Sequence, residues 1–162
     1  CSVDNKKTVQ RLIDLKGISD TRKGFVILIS HMEDLKSFGV TLTEYQKNTL
    51  EKLWPGPFSV VFDINKEYSE ILHFKSVAFR VPAHPELLDV LKQTGPLLAP
   101  SANPTGLPSS YTIRQAEKYF GETVDFYVDG GELKSLGSTV MSLEYDTINI
   151  FRLGDIDPRD VI

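Results

Sequence analysis

Apolar residues recur along this chain at two periods, and the alternation between them predicts a series of helices and strands. Val9, Leu12 and Ile13 fall at helical spacing behind Asp4 and Asn5, either of which can cap a helix. The pattern ends near Lys16-Gly17, where glycine fits a C-terminal cap. A polar stretch over 18–24 carries Arg22 and Lys23 and feeds the apolar run 25–29, which reads as a central buried strand. A short helix over 32–37 precedes Thr43, which with Gln46 forms a capping-box signature for a helix to about Leu53. Trp54-Pro55-Gly56-Pro57 stops that helix and turns the chain into a second buried strand, 58–62.

Residues 65–69 read as a polar connection, 71–74 as a weak strand and 77–81 as a stronger one with Arg80 near its end. Pro85 suits the first turn of a helix through Leu87, Leu88 and Leu91, with Gly95 as its cap. Leu97-Leu98-Ala99 is expected to form a short buried strand, ended by Pro100 because proline cannot donate to a ladder. A dense polar loop follows at once: Ser101, Ala102, Asn103, Pro104, Thr105, Gly106, and then Pro108, Ser109 and Ser110. A loop at a strand end holds ligands well, because a rigid strand aims its polar groups at one point. Thr112 with Gln115 is a second capping box, opening a helix through Ala116 and Tyr119 that stops at Gly121. Strands are expected over 124–128, 139–143 and 147–151. No repeat or linker divides residues 1–162, so the fold class is α/β, one domain built on a mixed, twisted sheet with flanking helices.

Composition narrows the partners more than the fold. A chain of 162 residues, 25% charged and 41% hydrophobic, is one ordinary globular domain rather than a disordered or fibrous one. The formal charge of −4 argues against a protein that coats nucleic acid, though not against a local basic cleft. No apolar run approaches a membrane span, no signal segment is evident, and the single cysteine, Cys1, forms no internal disulfide, so a cytoplasmic location is the default expectation. The opening on Cys1 rather than methionine leads to the expectation that an N-terminal segment is missing.

The candidate chemistry rests on cations. Lys16, Arg22, Lys23, Arg80 and Arg152 all stand next to predicted element ends, and Arg80 and Arg152 lie in otherwise apolar strands where a charge needs a partner or a ligand. Pairing with one of the many carboxylates is the plain alternative for each of them. His31, His73 and His84 have no metal-ligand spacing and are expected to be structural, His84 as a helix cap. There is no GxxxxGK[ST], GxGxxG or GxSxG, so neither a P-loop or Rossmann nucleotide site nor a serine nucleophile is indicated.

Five segments, in order, carry a resemblance. Trp54-Pro55-Gly56-Pro57, Ala78-Phe79-Arg80-Val81-Pro82-Ala83-His84-Pro85, Ser101-Ala102-Asn103, Gly137-Ser138-Thr139-Val140 and Phe151-Arg152-Leu153-Gly154 resemble the WPGP, AVRxPxHP, SxN, STV and LRxG segments of the Sua5/YrdC/TsaC family, the threonylcarbamoyl-AMP synthases of tRNA modification. The resemblance implies the YrdC-like fold, an open sheet curved around a concave site. It also implies a nucleotidyltransferase, an L-threonylcarbamoyladenylate synthase acting on L-threonine, bicarbonate and ATP, with Mg2+ accompanying the nucleotide. The product would go to the machinery that makes t6A at position 37 of tRNA, and tRNA or double-stranded RNA is a candidate partner. The resemblance places Lys16, Ser76, Asn103, Thr112 and Arg152 on the ATP side, and Arg80, Ser101 and Ser138 on the threonine side. Tyr111 is the alternative to Thr112. The arginine of the family's KxR element falls at Ile18, so its role is either lost or taken by Arg22 or Lys23 on the ATP side, and the family's PTxTxYGLG segment falls before Cys1. No residue is expected to act as a covalent catalyst, because adenylyl transfer needs positioning and charge neutralisation. The rival reading, favoured by Ile18, is a YrdC-like module that binds RNA or a nucleotide without catalysis; a third is a carbamoyl-transfer domain of the kind found in hydrogenase-maturation proteins.

Overall fold

A computed structural model describes residues 1–17 and 25–162. Helix α1 (Lys6–Lys16) starts where the Asn5 side chain accepts from the Lys7 and Thr8 N–H groups, and ends where Gly17 takes φ 60°, a left-handed value that glycine reaches without strain. After β1 (Val26–Leu28) a single stretch of 3-10 helix covers Met32–Phe38. Helix α2 (Glu44–Leu53) opens on the reciprocal capping box of Thr43 and Gln46. There follow β2 (Phe58–Asp63), α3 (Lys66–Leu72), β3 (Ser76–Arg80), α4 (Pro85–Thr94), β4 (Leu97–Leu98) and α5 (Ile113–Phe120). Strands β5 (Thr139–Glu144) and β6 (Thr147–Arg152) form a hairpin that closes the sheet. Among the described residues no helix is long and apolar enough to cross a membrane.

The six strands lie in the order β4-β1-β3-β2-β5-β6. Strand β1 runs parallel to β3, and β2 parallel to β5, while the other neighbours are antiparallel. This is the mixed, helix-flanked α/β sheet that the interleaved pattern predicts. Alternation then gives the sheet two unlike faces. Ile27, Val60, Phe62, Val77, Phe79, Met141 and Leu143 are buried on one face, under Val9 of α1, Leu35 and Phe38 of the 3-10 helix, Leu50 and Leu53 of α2 and Leu72 of α3. Phe38 sits with its ring centroid 4.8 Å from Phe79 and 4.3 Å from Tyr68, so three elements meet at one aromatic cluster. Each such buried side chain stabilises the fold by about 2 kcal/mol relative to exposure. The other face carries Val26, Leu28, Ser76, Arg80, Val61 and Val140, all half-buried, and it is the face left for a ligand.

Six expectations about elements and their caps are corrected. Residues 71–74 are not a strand: Asn65 caps α3 by accepting from the Tyr68 N–H, and Tyr68, Ile71 and Leu72 then share a helical face that buries Leu72 completely. Residues 124–128 have the alternating pattern of a strand, yet no ladder forms on them, and Phe126 and Val128 are 78% and 81% exposed. A strand exists only through its pairing, and here the neighbouring contact is instead Arg11 of α1, which bonds Asp125 and the Thr123 carbonyl. The 97–99 strand is only Leu97–Leu98, and the segment 32–37 is 3-10 rather than α-helical and reaches Phe38. The second capping box is one-sided: Thr112 accepts from the Gln115 N–H, but the Gln115 side chain turns to the Tyr111 N–H at 2.7 Å. His84 occupies the N-cap position of α4 without a side-chain cap bond, and its ring lies 3.1 Å from Glu86 instead.

Candidate functional site

Strand direction decides what comes together. Because β1 and β3 are parallel and β2 antiparallel to β3, the ends of β1 and β3 share an edge with the start of β2. The start of β5 and the end of β6 lie on that edge as well. So four of the five segments that matter in the sequence converge, and the backbone bonds them to one another. The Gly56 N–H donates to the Val81 carbonyl at 2.9 Å, and the Thr139 N–H donates to the Pro57 carbonyl at 2.9 Å. The Thr139 hydroxyl accepts from the Gly154 N–H at 2.9 Å and donates to the Ile156 carbonyl at 2.6 Å. Both glycines are required by space: a Cβ on Gly56 would lie 2.2 Å from the Leu53 carbonyl oxygen, and one on Gly154 2.2 Å from that of Gly137.

Arg80 is held on this frame. Its Nε donates to the Gly56 carbonyl at 2.8 Å, and among the described residues no carboxylate lies within ion-pairing distance of it. Burial pushes the guanidinium pKa down, opposed by the negative charge of Asp155. The two Nη groups of a planar fork anchored through Nε are suited to an incoming carboxylate or phosphate. One step along the ladder from the Val60 and Phe79 pair, Ser59 stands level with Arg80, and it is completely buried. Its Oγ donates to Ser138 Oγ at 2.8 Å. Arg152, at the end of β6, donates through Nη2 to the Ser138 carbonyl at 2.8 Å and stands 3.5 Å from its Oγ. Arg80, Ser138 and Arg152 are therefore neighbours across β3, β2, β5 and β6.

Lys16, Ser101 and Asn103 form a second group at the opposite end of the sheet. Strand β4 runs against β1, so the loop after it lies beyond Val26, the start of β1, where the Val26 carbonyl accepts from the Ala99 N–H. Lys16, 6% exposed at the last turn of α1, donates to the Ser101 carbonyl at 2.6 Å, the Asn103 carbonyl at 2.5 Å and Asn103 Oδ1 at 3.2 Å. Its own carbonyl accepts from the Thr105 N–H at 2.7 Å. The Asn103 amide donates to the Leu107 and Pro104 carbonyls, so the buried asparagine shapes the loop from within. Burial pushes the Lys16 pKa down. Ser76 begins β3, four residues or about 13 Å before Arg80, at this same end. Thr112 caps α5 with its hydroxyl. Arg22, Lys23 and Ile18 lie outside the described residues. The sheet's half-open face thus runs between a guanidinium-lined end and a lysine-clamped loop.

Ser59 and Thr139 are additions that sequence reasoning missed. A serine inside the apolar run 58–62 is a signal, since a buried hydroxyl needs a partner. A family model described as "Telomere recombination", covering the Sua5, YciO and YrdC proteins, matches residues 1–154. The chain belongs to this family. Among curated relatives of this YrdC-like domain are the threonylcarbamoyl-AMP synthase of Photobacterium profundum, 31% identical over 135 residues, and that of an Enterobacter species, 35% identical over 127. These alignments cover 80% and 75% of this chain, and 72% and 66% of the relatives. The structure of P. abyssi Sua5 complexed with L-threonine superposes with a TM-score of 0.87 at 25% identity over 99% of this chain. The chain spans about half the length of that protein, 48%. Escherichia coli YciO, at 21% identity and a TM-score of 0.85 over 100% of this chain and 80% of its own, shares the fold.

Proposed function

We propose that this domain makes threonylcarbamoyl-AMP and pyrophosphate from L-threonine, bicarbonate and ATP, a reading supported by relatives named threonylcarbamoyl-AMP synthase. The observation that carries the reading is Arg80: a half-buried guanidinium, anchored by Nε to Gly56, with its Nη groups turned to no carboxylate among the described residues, in a family with a member solved with L-threonine. In this reading Arg80 holds the threonine carboxylate with Ser138 beside it; Ser101, which the resemblance also puts on the threonine side, stands at the opposite end of the sheet, away from that carboxylate. Lys16, Arg152, Asn103, Ser76 and Thr112 serve the nucleotide, together with Arg22 and Lys23.

The threonine amine adds to bicarbonate with loss of water, giving a carbamate. A carbamate oxygen then attacks the α-phosphorus, and the bond from that phosphorus to the bridging oxygen breaks, so pyrophosphate leaves with the electron pair. The chain's part is to hold two anions in line and offset their charge, which suits a site rich in fixed donors. Magnesium would travel on the triphosphate oxygens; among the described residues no three His, Cys, Asp or Glu side chains converge to hold one. The product would pass to the machinery that modifies adenosine 37 of tRNA.

The test is pyrophosphate release from ATP and bicarbonate, with and without L-threonine. Threonine-dependent release is expected. No release from folded protein, together with RNA affinity that falls steeply with salt, would replace this reading with that of a binding module.

A further inference from the structure

Ser59, like Thr139, is completely buried in the frame of the site, and the partner of its hydroxyl is Ser138 Oγ, 2.8 Å away. A serine hydroxyl has one proton to give and two lone pairs to receive with. Ser59 has no second acceptor within reach among the described residues, so its proton goes to Ser138; the reverse arrangement would leave a donor stranded in a fully buried place. Arg152 cannot take the Ser138 proton either, because a guanidinium only donates; its Nη2 stands 3.5 Å from that oxygen and 2.8 Å from the Ser138 carbonyl. Ser138 Oγ is thus approached by donors from β2 and from β6, and its own proton is left over. Ser138 retains 5% exposure where Ser59 retains none, so of the two serines the leftover proton belongs to the one that solvent reaches.

We propose that Ser59 is a positioning residue, which by donating to Ser138 turns that serine into an obligate donor toward an acceptor oxygen of the amino-acid substrate beside Arg80. This rests on the synthase reading and deepens it. Without Ser59, Ser138 is free to rotate its proton inward and present lone pairs, which an anionic substrate oxygen would repel. The residue acts through Ser138, so its effect falls on the amino acid and not on the nucleotide.

Calorimetric titration of L-threonine and, separately, of ATP into the whole chain tests it, with Ser59→Ala, Ser138→Ala and the double variant. Ser59→Ala is expected to weaken threonine binding roughly tenfold, the worth of one hydrogen bond to a charged group, while ATP binding stays within twofold. The double variant is expected to match Ser138→Ala, because Ser59 has no route to the substrate except through Ser138. Unchanged threonine affinity in Ser59→Ala, or losses that simply add in the double variant, would overturn the proposal. Ser59→Cys, close in size and a weak donor, is expected to weaken threonine binding in the same sense and carries the test if the alanine variant does not fold. Failure of the wild-type chain to bind threonine at all would sink the synthase reading itself, an outcome distinct from the others.

Discussion

The two ends of the half-open sheet face use polar groups in opposite ways. At the Arg80 end backbone groups and the Thr139 hydroxyl do the holding, bonding Gly56 to Val81, Thr139 to Pro57 and Gly154 to Thr139, and the side chains of Arg80 and Ser138 keep donors in hand. At the Ser101 end the side chains do the holding, with the Lys16 ammonium and the Asn103 amide committed to carbonyls of the loop itself. A rigid frame with unoccupied donors is ready for a ligand as it stands. A loop whose cation and amide are already engaged must exchange those bonds for ligand bonds, so its net gain per contact is smaller. The difference implies that affinity for a small anion resides at the Arg80 end, and that the Lys16 end contributes shape.

The harshest way to break the comparison is Gly154→Ala. The new Cβ would lie 2.2 Å from the Gly137 oxygen and 2.5 Å from the Thr139 nitrogen, and these are backbone atoms that cannot step aside alone. A loss of about 3 kcal/mol or more is expected by denaturant unfolding, with threonine binding failing alongside it. Gly106→Ala in the loop, where nothing lies within 4 Å of the added atom, is expected to cost far less, from its φ of 88° alone. Equal losses at the two glycines would deny that one end is a close-packed frame and the other a looser loop.

What the sequence disclosed follows the same division between local and distant causes. Helices α1, α2 and α4 were legible because their caps, Asn5, Thr43 with Gln46, Gly17 and Gly95, act within a few residues. Helix α3 was not, since Asn65 reads equally as a loop residue until Leu72 is seen to be buried. The 124–128 stretch failed in the other direction: its alternation is genuine, but a strand needs a neighbour, and a pattern does not supply one. Arg80 and Arg152 were visible as charges in apolar strands. Ser59 was passed over because its meaning depends on Ser138, 79 residues away in the chain.

A smaller effect separates binding from folding at the Arg80 end. Arg80→Ala is expected to lower threonine affinity about 100-fold, as loss of a charge-assisted fork to a carboxylate does, and to change stability by only about 1 kcal/mol. Titration calorimetry beside a thermal melt reads both quantities. Threonine affinity left intact would take the carboxylate site away from this end altogether.

At the other end the prediction reverses. Lys16→Ala strands the Asn103 carbonyl, leaves that of Ser101 with only the Asn103 N–H, and is expected to cost about 2 kcal/mol of stability and to open the 101–107 loop to limited proteolysis. Because in this contrast the threonine anion is held mainly by Arg80, the affinity of the intact fraction for threonine is expected to fall less than in Arg80→Ala. A larger fall would make Lys16 the principal anion site and collapse the distinction.

The mildest test is pH. Burial lowers the Lys16 pKa in the folded chain below its ordinary 10.5, so between those two values the unfolded chain binds more protons than the folded one. Stability must then rise with pH across that window, as the cost of burying the charge is relieved while the amine neutralises. Below the window the charge is present in both states and the slope from this group is zero. Lys16→Met removes the titration and keeps most of the apolar stem, so the alkaline slope of its unfolding free energy is expected to be less positive than that of the wild-type chain. Matching slopes would mean that the three bonds to the loop hold the ammonium charged as firmly as water does, and the clamp would then be stronger than its burial suggests.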